Sequence, residues 1–172
     1  MWIINKLKNI KILIRSKLER INMGKFYIGN ITPANDTIFV FGSNPEGRHG
    51  AGSAYVAVKQ FGAKYGQGEG LQGSAYALPT TELRFDTGQK TRHSLAPETI
   101  IDNIKRLYKC AKSMPEKKFK VAYRSMPDEV TLCGYSGREL MEMFNAAGEC
   151  PDNVIFSKEW FDSGILHTSK LT

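Results

Sequence analysis

A chain of 172 residues has the length of one domain, and its 41% hydrophobic and 24% charged residues are ordinary for a globule that buries a core. Its net charge of +7 is unevenly placed: residues 1–23 hold Lys6, Lys8, Lys11, Arg15, Lys17 and Arg20 against only Glu19, so the body is nearly neutral and the overall charge is weak evidence for a nucleic-acid partner. Three cysteines, Cys110, Cys133 and Cys150, are odd in number and lack a C-x-x-C spacing, which sets aside a disulfide framework or a zinc site and fits a reducing cytoplasm, with no metal or cofactor expected.

Within residues 1–23, Ile3, Leu7, Ile10, Ile14, Leu18 and Ile21 recur at helical spacing with basic residues between them. This predicts a basic amphipathic helical extension, able to contact an anionic membrane, nucleic acid or a host protein. The run is interrupted by lysine too often to span a bilayer and lacks the form of a signal peptide. A helix packed on the domain, or an extension before a start at Met23, is favoured over such contacts.

The domain proper is expected over 24–172. Phe26 to Ile28 and Thr37 to Phe41 read as short strands, and Gly52 to Phe61 as a helix with Ala54, Val58 and Phe61 on its inner face. Gly62 to Gly73 is too rich in glycine for a helix, and Ser74 to Pro79 is the next strand. The polar stretch from Thr80 to Pro97 reads as a long surface loop and a lid. Glu98 to Met114 carries Ile101, Ile104, Leu107, Tyr108 and Ala111 at helical spacing, and Phe119 to Tyr123 follows as a buried strand. Ser136 and Glu139 make a capping box for a helix with Leu140, Met143 and Phe144 inside, closed by Gly148; Asn153 to Phe156 is the last strand, and Ser157 to Phe161 leads into a short terminal segment. The alternation predicts an α/β sandwich of helices around a mostly parallel sheet, with any ligand beyond the carboxyl ends of the strands.

The stretch Phe39-Val-Phe-Gly-Ser-Asn-Pro-Glu-Gly-Arg-His-Gly-Ala-Gly-Ser53 breaks an apolar strand into a glycine-rich loop and then a helix. Glycines 42, 47, 50 and 52 let backbone amides approach a ligand, and the helix start favours an anion there. The loop lacks the Gly-Lys-Ser/Thr ending of a Walker motif, and its glycines do not follow G-x-G-x-x-G, so NTP hydrolysis and hydride transfer are disfavoured.

Tyr27-Ile-Gly-Asn-Ile-Thr-Pro33, Phe39 to Asn44, Gly47-Arg-His-Gly-Ala-Gly52, Phe61-Gly-Ala63, Tyr65-Gly-Gln-Gly-Glu-Gly-Leu-Gln-Gly73 and Tyr76-Ala-Leu-Pro79 together resemble an uncharacterised bacterial and phage family grouped with macro domains, over about residues 26 to 161. More distantly, Gly29-Asn30-Ile31-Thr32 before a strand ending at Asn44 is similar to the opening of macro domains, the ADP-ribose-binding modules. The resemblance implies a macro-domain-like three-layer α/β/α sandwich binding ADP-ribose or a related nucleotide. Asn44 would hold the distal ribose, and the loop from Gly47 and Arg48 through Gly50, Ala51 and Gly52 would face the diphosphate. Asn30 would lie on the adenine side; Phe156 or Phe161 could stack on the base, although the apolar context of each favours a place in the core. Gly134 and Tyr135 match the end of a second, diphosphate-wrapping loop. The segment before them, from Tyr123 to Cys133, is longer and poorer in glycine than in that family, which counts against rapid turnover. For hydrolysis of an ADP-ribosyl linkage, His49 and Glu69 are the side chains in the glycine-rich segments able to assist water, apart from Glu46. Sequestration of a signalling nucleotide in a phage or bacterial setting is the binding version of the same reading. The alternative is a non-catalytic interaction protein that uses the fold as a scaffold and residues 1–23 for contact.

Overall fold

The computed structural model describes residues 26–123 and 128–162, so the amphipathic extension over 1–23 and residues 124–127 of the long segment after Tyr123 lie outside the described residues. Strands β1 (Phe26–Tyr27), β2 (Thr37–Ser43), β3 (Gly70–Gln72), β4 (Ala75–Pro79), β7 (Lys118–Val121) and β8 (Val154–Ser157) form one sheet in the order β1-β8-β7-β2-β4-β3. Every neighbouring pair is parallel except β3 with β4, so the sheet is mostly parallel with one antiparallel edge. Strands β5 (Thr81–Asp86) and β6 (Gln89–Ser94) make a separate antiparallel hairpin. Helix α1 (Gly52–Gln60) follows β2, α2 (Pro97–Ser113) follows the hairpin, α3 (Gly137–Ala146) follows β7 and α4 (Lys158–Asp162) follows β8. No helix of the described residues is long and apolar enough to cross a membrane.

Both faces of the sheet are covered, because successive side chains of a strand point to opposite sides. In β2, Phe39 and Phe41 join Ala54, Ala57 and Phe61 in one apolar core, whereas Ile38 and Val40 join Ile104, Leu107, Leu140 and Phe144 in another. Helix α1 therefore covers one face, and α2 with α3 covers the other. Helix α2 begins with Pro97 and carries Glu98 in its first turn and Lys112 in its last, each suited to its place on the helix dipole. Ile100, Ile104, Leu107 and Ala111 of its inner stripe are fully buried, at roughly 1.5–3 kcal/mol for each of the larger side chains. Its carboxyl end is closed by Asn153, whose Nδ2 donates to the carbonyls of Ala111, Met114 and Lys117 at 2.8, 3.0 and 2.9 Å. In α3 the expected box is present: Ser136 accepts from the Glu139 amide and Glu139 accepts from the Ser136 amide at 2.7 Å.

One expectation needs correction. The segment from Thr80 to Pro97 is not a loop: residues 81–94 are the β5–β6 hairpin, turned at Thr87 and Gly88, whose φ values of 48° and 83° are both positive as a tight two-residue hairpin turn requires. The inner face of α1 carries Ala54 and Val58 as expected, Val58 half-buried against the same core, and Ala57 joins them fully buried. Phe156 is 2% exposed and packed edge-on against Phe144 at 5.1 Å, so it takes the core place its apolar context favoured and presents no face to a ligand. Phe161 falls in α4, and its side chain lies outside the description.

A candidate anion cleft at the strand ends

Strands β2 and β7 are neighbours, yet the chain leaving β2 runs to α1 on one face and the chain leaving β7 runs to α3 on the other. Connections that part in this way open a crevice at the carboxyl ends of the strands. A cleft of about 230 Å³ lies there, with Gly42, Ser43 and Asn44 from the end of β2, Thr80 just beyond β4, and Ala122 and Tyr123 beyond β7. Ala51, Ser53 and Ala54 bring in the start of α1, Arg48 the glycine-rich loop, Thr81 and Arg92 the hairpin, and Thr131, Leu132 and Cys133 the segment before α3.

The glycine-rich loop is shaped by Asn44. Its Oδ1 accepts from the Arg48 amide at 2.9 Å and its Nδ2 donates to the Arg48 carbonyl at 3.1 Å, which folds residues 44–48 into a closed turn and delivers Arg48 to the cleft. Gly47 has φ +66°, and any Cβ there would strike the backbone of Gly66 and Gln67; its amide donates to the Asn44 carbonyl at 2.9 Å and its carbonyl accepts from the Gly66 amide at 2.8 Å. Gly66 to Gly68 thus forms the bed on which the loop lies. Gly50 is exposed with open space around it, and Gly52 opens α1 with φ +57°. Ala51 is the residue before the first helical turn; it offers no side-chain cap, and that turn holds no acidic residue. Helix geometry leaves the first amides of α1 without partners inside the helix, so the positive end of its dipole meets the cleft uncompensated by a carboxylate.

Several residues expected at the site stand elsewhere. His49 is 2% exposed and does not line the cleft: its ring packs edge-on against Phe41 at 5.0 Å, and its Nε2 donates to the Gln67 carbonyl at 2.8 Å. That bond fixes the tautomer and leaves Nδ1 buried without a partner among the described residues. His49 therefore pins the loop to its bed. Glu69 faces the other way, in an ion pair of 2.5 Å with Arg106 of α2. Asn30 is exposed in the loop after β1 and is not among the residues that line the cleft. Gly134 and Tyr135 lie behind the cleft wall, where the Tyr135 hydroxyl donates to the Leu95 carbonyl at 2.8 Å and a Cβ on Gly134 would strike Ser94. Burial pushes the Tyr135 phenol upward, so it stays a protonated donor. Both residues dock the hairpin rather than touch the cleft.

Other residues take their place. The hairpin base is tied to the cleft by the Thr80 amide donating to the Ser43 carbonyl at 3.0 Å and by Ser94 Oγ donating to the Cys133 carbonyl at 2.6 Å. Tyr123 stacks flat on Trp160 at 5.9 Å with its hydroxyl directed at Thr80 Oγ1, 3.5 Å away, and burial pushes its phenol well above the usual range. Gly42 lies beneath that hydroxyl, and any Cβ there would collide with it. Arg92 was hidden in the sequence because its segment did not read as a strand; once β6 is recognised, the alternation Lys90, Arg92, Ser94 marks one face. Among the described residues lining the cleft, the charged groups are Arg48 and Arg92, with no carboxylate and no imidazole. Comparison of the chain with protein-family models, curated proteins and solved structures finds no match in any of the three.

Proposed function

We propose that the protein binds ADP-ribose or a related nucleotide in this cleft, with the phosphate-bearing end held between Arg48, Arg92 and the start of α1. The observation that carries the reading is the lining itself: Arg48, Arg92 and the uncapped start of α1 line one cleft in which no described carboxylate opposes an anion, with Arg48 Nη1 resting 3.5 Å from the Tyr65 hydroxyl. The resemblance of the Phe39–Gly52 and Tyr65–Pro79 motifs to macro domains supports the same ligand class. A mostly parallel sheet covered by helices on both faces is in keeping with a macro-domain-like fold.

Magnitudes favour a whole nucleotide over a bare anion. Charge-assisted hydrogen bonds contribute roughly 1.5–3 kcal/mol each and a helix start about 0.3–1 kcal/mol, much of which is offset by the lost freedom of association. Inorganic phosphate then binds weakly, and the nucleoside supplies the remainder. The cleft volume of about 230 Å³ lies below the roughly 300–1,000 Å³ usual for enclosing a drug-sized ligand. Only the phosphate-bearing part is enclosed, and the rest lies over the rim. We assign binding rather than turnover, since His49 and Glu69 are committed to Gln67 and Arg106 and neither reaches the cleft.

A thermal-shift panel tests the assignment. ADP-ribose, ADP and NAD at about 100 times their dissociation constants add about 2.7 kcal/mol, which raises the melting temperature of a chain this size by about 5–10 °C, whereas adenosine raises it little. No rise with any phosphate-bearing compound refutes it.

A further inference from the structure

We propose that the cleft-side face of the β5–β6 hairpin is the base-recognition arm of the site, with the Phe85 ring as the stacking platform for a nucleobase whose phosphate lies between Arg48 and Arg92. The inference rests on the phosphate-binding reading above and extends it to the base. The cross-strand register pairs Thr81 with Ser94, Leu83 with Arg92 and Phe85 with Lys90. Residues directly opposite share a face, as do residues two apart, so these six side chains stand on one side of the hairpin. Thr81 and Arg92 line the cleft, which identifies that side as the one turned toward it.

Charge is segregated across the hairpin. Both acidic residues lie on the far side, where Glu82 pairs with Arg84 and Asp86 accepts from Thr91 Oγ1 at 2.7 Å and meets His93 Nε2 at 2.6 Å. The cleft side carries Arg92 and Lys90, one apolar residue, Leu83, and an aromatic ring, with no carboxylate to repel a phosphate. Phe85 is 71% exposed, so the fold gains little from it. It lies two cross-strand pairs beyond Arg92, the next position on the same face, about 7 Å further along the strands, a separation that a ribose spans between its phosphate and its base. The cleft encloses only the phosphate end of a nucleotide, and Phe156, one of the two rings weighed for stacking on the base, is in the core. A flat, exposed ring beside two cations has the form of a stacking platform for a base attached to a polyanion.

Calorimetric titration of the full chain with ADP-ribose and with ribose 5-phosphate, which lacks the base, tests this. Phe85→Ala weakens ADP-ribose by about 10-fold and leaves ribose 5-phosphate within about 2-fold, with the melting temperature of the free protein unchanged; Phe85→Trp keeps the ADP-ribose affinity. Equal losses for both compounds, or no loss for either, overturn the assignment of the base to Phe85 while leaving the phosphate site intact. If the unmodified protein binds neither compound, the phosphate reading fails and the stacking platform fails with it.

Discussion

Replacing Asn44 by alanine removes both side-chain hydrogen bonds that close the glycine-rich loop, at 2.9 and 3.1 Å to the amide and carbonyl of Arg48. Asn44 is nearly buried, whereas Arg48 is exposed, so water can replace part of what the backbone loses. Two such bonds at roughly 0.5–1.5 kcal/mol each give a loss of about 1–3 kcal/mol. For a chain of this size that lowers the melting temperature by about 2–12 °C. The turn also carries Arg48 to the cleft, so ADP-ribose affinity falls by about 10-fold, the smaller end of what losing one charge-assisted contact costs. Asn44→Asp keeps the acceptor for the Arg48 amide and loses the donor to its carbonyl, so its stability falls between the two. Differential scanning fluorimetry and titration calorimetry on the three proteins read both effects. A melting temperature within about 1 °C of the original together with unchanged affinity for Asn44→Ala refutes the bracing role.

Gly47→Ala forces a side chain into a left-handed backbone and against Gly66 and Gln67, so it destabilises by about 1–3 kcal/mol and weakens ligand binding; urea unfolding with an unchanged midpoint contradicts it. The bond from the Ser136 backbone, and then that from its side chain, hold the Glu139 carboxyl below the usual range of a glutamate. Its folded value being depressed, the stability from this cap is present above the unfolded value and lost as pH falls through the folded one. Glu139→Gln keeps an acceptor for the Ser136 amide and flattens that acid-side loss, which melting curves between about pH 5 and 3 detect; equal acid sensitivity of the two proteins speaks against it.

Most of the framework was legible because its signals are local. The stripe of α2, the Ser136–Glu139 box and the apolar run of β2 each write their structure into adjacent residues. The crevice beyond the strand ends was equally readable, since alternating strands and helices place it there whatever the side chains. What failed was non-local. The β5–β6 hairpin has polar residues on both faces and is mostly exposed, so no alternation of buried and exposed residues announced it; only Thr87-Gly88 hinted at its turn. Missing the hairpin meant missing Arg92 and Phe85. His49 and Glu69 invited a catalytic reading because both sit in glycine-rich segments, yet the sequence gives no sign that those segments pack on each other. Gly47 and Gly68 are small because the two backbones touch, and His49 is buried because it bridges them.

The central claim is that two arginines from separate segments hold one phosphate-bearing ligand, and calorimetric titration of ADP-ribose into Arg48→Ala, Arg92→Ala and the double variant measures it most directly. Both side chains are exposed, so the fold and the melting temperature of the free protein are kept. Each single change weakens binding by about 10-fold or more, the double change removes measurable binding, and the affinity of the unmodified protein falls as ionic strength rises. Tight binding that survives in the double variant, or is insensitive to salt, contradicts the account.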